Sequence, residues 1–232
     1  MPRRARTYLP GYPYHIVQRG NNRNACFVAP QDYQFYLELW EECSQRYGVA
    51  IHAYCLMTNH VHLLVTPGNS DSVSFATKVI GSRYAQYFNK TYKRTGTLWE
   101  GRHKSSLVQS ERYFLTCSRY IELNPVAANM VSKPEQYKWS SYICNAWDGE
   151  GIVEQHIEYL KLGEEPESRR HDYRELFRYS ISSEDIHIIE DAARYNRPLG
   201  DSRFSEQIAS QYGVVIPRAT HGRPPLYNLV IG

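Results

Sequence analysis

Two histidines flank one valine in the stretch Thr58-Asn59-His60-Val61-His62-Leu63-Leu64-Val65-Thr66-Pro67. Side chains alternate along an extended strand, so His60 and His62 project from one face and Val61 from the other. Imidazole is the commonest protein metal ligand, and two of them side by side on a sheet could share one divalent cation. A pair does not complete a coordination site, so a second element must contribute. The stretch Tyr120-Ile121-Glu122-Leu123-Asn124-Pro125 is the candidate. On a helix Tyr120 and Asn124 lie on one face, one turn apart. With that helix beside the histidine strand, Asn124 can offer an amide oxygen to the cation and Tyr120 a phenolic oxygen to a phosphate bound there. Each segment also has a plain structural reading. The histidines suit the solvent face of a half-buried strand, Asn124 suits a helix end before Pro125, and Tyr120 suits a core.

The elements that must position these residues follow from periodicity. Tyr14-His15-Ile16-Val17-Gln18-Arg19 alternates and is rich in strand formers, and Gly20-Asn21-Asn22-Arg23 closes it as a turn. Pro30 to Tyr47 carries Tyr33, Tyr36, Trp40, Cys43 and Tyr47 at helical spacing, with Pro30 in the first turn and Gly48 as the stop. That aromatic stripe reads as core. Val49 to Met57 and His60 to Thr66 read as two strands of a hairpin. Ser72 to Tyr92 is a second long helix, Ser106 to Gln109 a fourth strand, and Ser110 opens a third helix that Pro125 bounds. Strand, helix, strand, strand, helix, strand, helix is the βαββαβ arrangement of a ferredoxin-like α+β fold, an antiparallel sheet with helices on one face. Asp148-Gly149-Glu150-Gly151 reads as a linker, which divides the chain into 1–148 and a helical C-terminal extension, 149–232. Helices are expected there at Val153 to Leu162, Glu167 to Tyr179, Ser183 to Tyr195 and Ser202 to Tyr212.

The 232 residues suffice for one good core plus an appendage. Net charge is only +3 and the pI about 8.5, so any affinity for nucleic acid must come from local clustering. Twenty tyrosines against seven phenylalanines suit either base stacking or core edges. Five cysteines, Cys26, Cys43, Cys55, Cys117 and Cys144, contain no CxxC pair. They point to neither a disulfide framework nor a zinc ribbon, and to a reducing cytoplasm. No secretory signal or membrane span is expected.

The histidine pair followed by a tyrosine helix resembles the single-tyrosine HUH endonucleases. The resemblance is closer to one branch, the REP-associated tyrosine transposases. It is carried by Tyr14-His15-Ile16-Val17-Gln18-Arg19-Gly20-Asn21-Asn22-Arg23, by Met57-Thr58-Asn59-His60-Val61-His62-Leu63-Leu64, by Gly101-Arg102 and by Tyr120-Ile121-Glu122-Leu123-Asn124-Pro125-Val126-Ala127, within residues 8–147. It implies cleavage of single-stranded DNA folded into an imperfect palindromic hairpin. In that reading His60 and His62 hold the metal, Mg²⁺ or Mn²⁺. Asn124 is the third ligand, where related enzymes often carry glutamine, and Tyr120 is the nucleophile that forms a 5′-phosphotyrosine. Tyr113, seven residues earlier, is a less favoured second tyrosine. Related proteins exchange tyrosine helices between subunits, whereas this branch resembles monomers acting in cis. The expected setting is the bacterial cytoplasm, at the nucleoid.

Positive side chains would hold the DNA backbone, and the candidates are Arg4, Arg6, Arg19, Asn22, Arg23, Arg102 and Lys104. Each could equally be a solvated surface group. The C-terminal tail with Arg218, His221, Arg223, Pro224 and Pro225 could also grip nucleic acid. Two rival readings remain open. A non-catalytic DNA-hairpin-binding regulator would keep the fold and cleave nothing. A small metal-dependent hydrolase would use the histidine pair and need no Tyr120.

Overall fold

The computed structural model describes residues 8–213. Arg4, Arg6 and the basic tail from Arg218 to Pro225 lie outside them. The core is a four-stranded antiparallel sheet of β1 (Tyr14–Arg19), β2 (Val49–Met57), β3 (His60–Pro67) and β4 (Lys104–Leu107), in the order β2-β3-β1-β4. β3 sits between β1 and β2, so the two strands joined by a helical crossover are not hydrogen-bonded to each other. This is the split βαβ pattern expected for the ferredoxin-like fold. β2 and β3 turn through Thr58 and Asn59 alone.

Helices cover both faces of this sheet, which corrects the expectation of one covered face. The alternation of β3 divides the work. Val61, Leu63 and Val65 pack with α1 (Pro30–Tyr47) and α2 (Ser72–Thr91), against Tyr36, Leu39, Trp40, Ile80 and Tyr84. Leu64, with Ala53, Cys55 and Met57 of β2, packs instead with Phe114, Cys117 and Ile121 of α3 (Ser110–Ala127). The α1–α2 face is apolar throughout, and the α3 face is apolar along β2 and at Leu64, so both carry surface that must be buried. The aromatic stripe of α1 is core as expected, with Trp40 and Tyr36 almost fully enclosed. Gly48 ends α1 in the left-handed conformation, φ 64°, which costs a glycine no Cβ clash.

Two boundaries differ from expectation. β4 begins at Lys104 rather than Ser106, because its pairing with β1 (Lys104 opposite Val17, Ser106 opposite His15) sets its limits. Helix α3 continues through Pro125 to Ala127. Proline has no N–H to donate to the carbonyl four residues back. The side chain of Asn124 compensates, since its amide nitrogen donates to the carbonyl of Tyr120 at 2.8 Å and approaches that of Ile121 at 3.4 Å.

The C-terminal region adds α4 (Tyr142–Ala146), α5 (Ile157–Leu160), α6 (Pro166–Leu176), α7 (Ser183–Tyr195) and α8 (Ser202–Tyr212). α7 and α8 match their expected limits; α5 is shorter than the expected helix, and α4 falls in a stretch that reads as irregular. α7 shares α3's core, while α8 packs through Phe204 and Ile208 into the α1–α2 cluster and α4, α5 and α6 form a cluster of their own. Ile189 and Ala192 of α7, with Leu199, join the cluster around Cys117 and Ile121. Leu199 also bridges the edge of β4 through Leu199 N to Leu107 O and Gln109 N to Leu199 O. A sheet edge that would otherwise template aggregation is thereby capped.

A buried carboxylate ties the two regions together. Glu122, on α3, is wholly buried. It accepts hydrogen bonds from Ser141 Oγ (2.6 Å) and Asn145 Nδ2 (2.9 Å) at α4, and from Tyr173 Oη (2.8 Å) of the C-terminal extension. Burial raises its pKa to about 7, against the opposing effect of the three donors. The folded value lies above the unfolded one, so this group's contribution is fully present below about pH 4.5. It is lost as pH rises through about 7. Glu122→Gln removes that ionisation. Paired urea melts are expected to show the variant gaining on the wild type by up to roughly 3 kcal/mol between pH 4.5 and pH 8, at about 1.4 kcal/mol per pKa unit. A difference independent of pH would contradict this account of Glu122.

Candidate active site at the sheet surface

The register of the sheet assembles the site. Arg19 of β1 pairs with His60, and Val17 with His62, while Lys104 of β4 pairs with Val17. Paired residues share a face, so Lys104, Val17, Arg19, His60 and His62 form one strip on the side where α3 packs. Tyr120 and Asn124 look onto this strip from α3. All of them line one open cleft of about 810 Å³. Its remaining walls are Glu100, Gly101 and Arg102 from the loop before β4, and Glu190, Ala193, Arg194 and Asn196 from α7 and its C-terminus.

The expected site residues therefore divide. His60, His62, Tyr120, Asn124, Arg19, Arg102 and Lys104 meet in the cleft. Asn22 and Arg23 do not line it; they sit exposed on the 3₁₀ turn after β1. Tyr113 is buried in the cluster beneath α3, away from the cleft, which leaves Tyr120 as the tyrosine that faces the histidines.

The rings are close. The centroids of His60 and His62 are 5.0 Å apart, and that of Tyr120 is 5.9 Å from His62, set edge-on. A third imidazole, His15 of β1, stacks on His62 at 5.2 Å and meets Tyr120 edge-on at 6.0 Å. Sequence reasoning treated His15 as a strand residue only. Its alternation with Val17 and Arg19 puts it on the same face, and that is the signal that could have found it.

Hydrogen bonds decide which nitrogens face the cleft. His60 Nδ1 lies 2.6 Å from Asn59 Oδ1. The amide nitrogen of Asn59 donates to the carbonyl of Arg23, so its oxygen is what faces the ring. An amide oxygen only accepts, so His60 carries its proton on Nδ1 and keeps a lone pair on Nε2. His62 Nδ1 is likewise engaged, 2.9 Å from His15 Nε2, which leaves Nε2 as its nitrogen for a ligand. The same logic orients Asn124. Only its amide nitrogen can face the Tyr120 carbonyl, so Oδ1 is turned away from the helix backbone and is available as an acceptor.

Electrostatics favour neutral rings. Burial, with Arg19 beside it, lowers the pKa of His60 to about 4. Burial, with His15, His60 and Arg19, holds His62 well below the ordinary range. Neutral imidazoles need shed no proton to take a cation. Burial raises the pKa of the Tyr120 phenol above its ordinary value. Glu190 and Cys117 push the same way, and Arg19 partly opposes them. The phenol is thus protonated at rest.

Among the described residues no three His, Cys, Asp or Glu side chains gather as a metal cluster. The available donor set is two imidazole nitrogens and one amide oxygen. Those donors suit a borderline-hard divalent ion that completes its shell with water and substrate oxygen, so the residues fit such an ion. No helix among the described residues is long and apolar enough to cross a membrane. All five cysteines are free.

The family model described as IS200-like transposase matches residues 9–124, a span that runs from the approach to β1 through Asn124. The structure of a REP-associated tyrosine transposase bound to a REP hairpin aligns with a TM-score of 0.51 and 18% identity, over 68% of this chain and 99% of the other. A crystal structure from Deinococcus radiodurans, provisionally named a transposase, aligns with a TM-score of 0.36 and 20% identity, over 52% of this chain and 96% of the other. No curated protein matches the sequence.

Proposed function

Because the chain belongs to the IS200-like transposase family, we propose that it is a single-tyrosine HUH strand transferase that cuts single-stranded DNA carrying REP-like palindromic hairpins. One observation carries the reading. Tyr120, separated from the His60–His62 pair by more than one crossover in sequence, lines the same cleft with its ring 5.9 Å from that of His62, which lies 5.0 Å from that of His60.

In this reading Tyr120 Oη attacks the scissile phosphorus in line. The P–O3′ bond breaks as the P–Oη bond forms, giving a 5′-phosphotyrosine and a free 3′-hydroxyl. The phenol releases its proton and the departing 3′ oxygen gains one. The number of phosphoester bonds is unchanged, so a second 3′-hydroxyl can reverse the step without ATP. His60, His62 and Asn124 would hold a divalent cation, Mg²⁺ or Mn²⁺, which would supply charge neutralisation at the phosphate. Arg19, Arg102 and Lys104 hold the backbone of the strand in the cleft, joined by Arg194 of α7. Asn22 and Arg23 sit at the rim side of β1 and contact flanking DNA.

The site is read as acting in cis in a monomer rather than through a helix exchanged within a dimer. Residues 1–148 are the catalytic unit and 149–232 an extension whose helix α7 walls the cleft. The setting in the cell is the bacterial cytoplasm at the nucleoid.

The test is direct. The protein is incubated with Mn²⁺ and single-stranded oligonucleotides bearing palindromic repeats from its own host. A covalent protein–DNA band on a denaturing gel is expected, with the nucleotide mapped by peptide mass spectrometry to Tyr120. Hairpin binding with no adduct under any metal would favour the regulator instead. Strand cleavage with no adduct would favour a hydrolase.

A further inference from the structure

Both cleft histidines are gripped through Nδ1, but by different kinds of partner. For His60 the partner is an amide oxygen that fixes the tautomer outright. For His62 it is His15, another imidazole, at 2.9 Å. An imidazole nitrogen can donate or accept, so this contact has two arrangements. In one, His15 donates from Nε2, and His62 carries its own proton on Nε2, where it blocks a cation. In the other, His62 donates from Nδ1 and Nε2 is a free lone pair. His15 then carries its proton on Nδ1, an atom that is buried and has no hydrogen-bond partner among the described residues.

We propose that His15 is a positioning residue for the metal site: it accepts the Nδ1–H of His62, aims Nε2 of that ring into the cleft, and selects the tautomer that binds a cation. The inference rests on the metal-dependent reading of the cleft. Its geometry is that of an outer-shell partner. His15 is 1% exposed, stacked on His62 with the planes 17° apart, and set on the neighbouring strand one step diagonal from it, opposite Leu64. Tyr120 packs against both rings, so the same imidazole that orients the ligand also bounds the nucleophile. Ligating histidines commonly hand their second nitrogen to an acceptor, and loss of such a partner typically costs 10- to 100-fold in metal affinity.

The experiment measures Mn²⁺ affinity by electron paramagnetic resonance of the free ion, independent of cleavage, in the full-length protein. His15→Phe keeps a buried ring and removes the acceptor. His15→Gln places an amide oxygen near the position of Nε2. The phenylalanine variant is expected to bind Mn²⁺ about 10- to 100-fold more weakly, and the glutamine variant to recover to within a few-fold of wild type. Phenylalanine binding as tightly as wild type, or glutamine as weakly as phenylalanine, overturns the proposal. Imidazole ¹⁵N spectra of the wild type with saturating Mg²⁺ test the tautomer itself, whether or not a variant folds. Protons on Nδ1 of both His15 and His62 are expected; a proton on His62 Nε2 overturns it. A wild-type protein that takes up neither ion overturns the metal reading, and this inference falls with it.

Discussion

Tyr120→Phe is expected to abolish the covalent adduct while leaving hairpin binding and the fold unchanged. The substitution removes one oxygen. The ring stays against His15 and His62, whose edge-on contacts do not depend on the hydroxyl. Stability should therefore move by no more than about 0.5 kcal/mol. Among the described residues Tyr120 is the one tyrosine that lines the cleft, since Tyr113 is buried beneath α3. Removing the nucleophile of a covalent mechanism costs many orders of magnitude, so adduct formation should fall by on the order of 10⁴-fold or more, below detection on a denaturing gel. Hairpin affinity, measured by gel shift or fluorescence anisotropy, should stay within a few-fold, because the backbone contacts assigned to Arg19, Arg102 and Lys104 are intact. An adduct of undiminished yield would remove Tyr120 from the chemistry. A parallel loss of binding would show that its role is to shape the cleft.

His60→Ala is expected to have the second largest effect, and its signature is different. His60 is half-buried at the strand end, with its ring nitrogen bonded to its neighbour Asn59. Its removal disturbs the core less than loss of His62, which would strand the buried nitrogen of His15. With one of two imidazole ligands gone, Mn²⁺ affinity should fall by about 100-fold or more and cleavage at low Mn²⁺ by at least as much. Raising Mn²⁺ into the millimolar range should restore part of the rate, because the nucleophile and the DNA contacts remain. Rescue by metal separates this variant from Tyr120→Phe, which no metal concentration restores. Chelation should silence the wild-type enzyme in the same way. Cleavage by His60→Ala that equals wild type at every Mn²⁺ concentration would contradict the assignment of the histidine pair.

Much of this arrangement is readable from the sequence, and the parts that are not have physical reasons. β1, α1, α7 and α8 announce themselves through alternation, aromatic periodicity and clear stops. The histidine pair and the Tyr120–Asn124 turn could be placed on one strand face and one helix face from spacing alone. β4 was misplaced by two residues because Lys104-Ser105 has no apolar pattern; that strand exists by pairing with β1. The end of α3 was misread because a rule for proline in helices takes no account of a neighbouring amide. The Asn124 side-chain amide reaches the Ile121 carbonyl that Pro125 leaves without a donor, and the helix runs two residues past Pro125. The second covered face of the sheet follows from Cys55, Met57 and Leu64 being as apolar as their opposite neighbours, a pattern that an assumed one-faced sheet conceals.

The residues that escape a reading of the sequence, in the site and beneath it, share one property: their partners are distant in sequence. His15 acts through a ring 47 positions away. Glu190 looks like an ordinary surface charge of an amphipathic helix until α7 folds back across the cleft and sets it beside Tyr120. Glu122 looks like a misplaced charge until Ser141, Asn145 and Tyr173 converge on it. The family match ends at residue 124, yet α7, well beyond it, contributes Glu190, Ala193 and Arg194 to the cleft lining, with Asn196 just after the helix. A catalytic centre confined to the matched segment would lack that wall.

The account stands on one convergence, that His60 and His62 take a single cation directly beside the Tyr120 hydroxyl. Anomalous diffraction from crystals grown with Mn²⁺ measures it. The prediction is one peak in the cleft at roughly 2.0–2.3 Å from Nε2 of both histidines, with the Asn124 oxygen as the next nearest side-chain donor. A peak elsewhere, or a cleft that stays without one at saturating Mn²⁺, would contradict it.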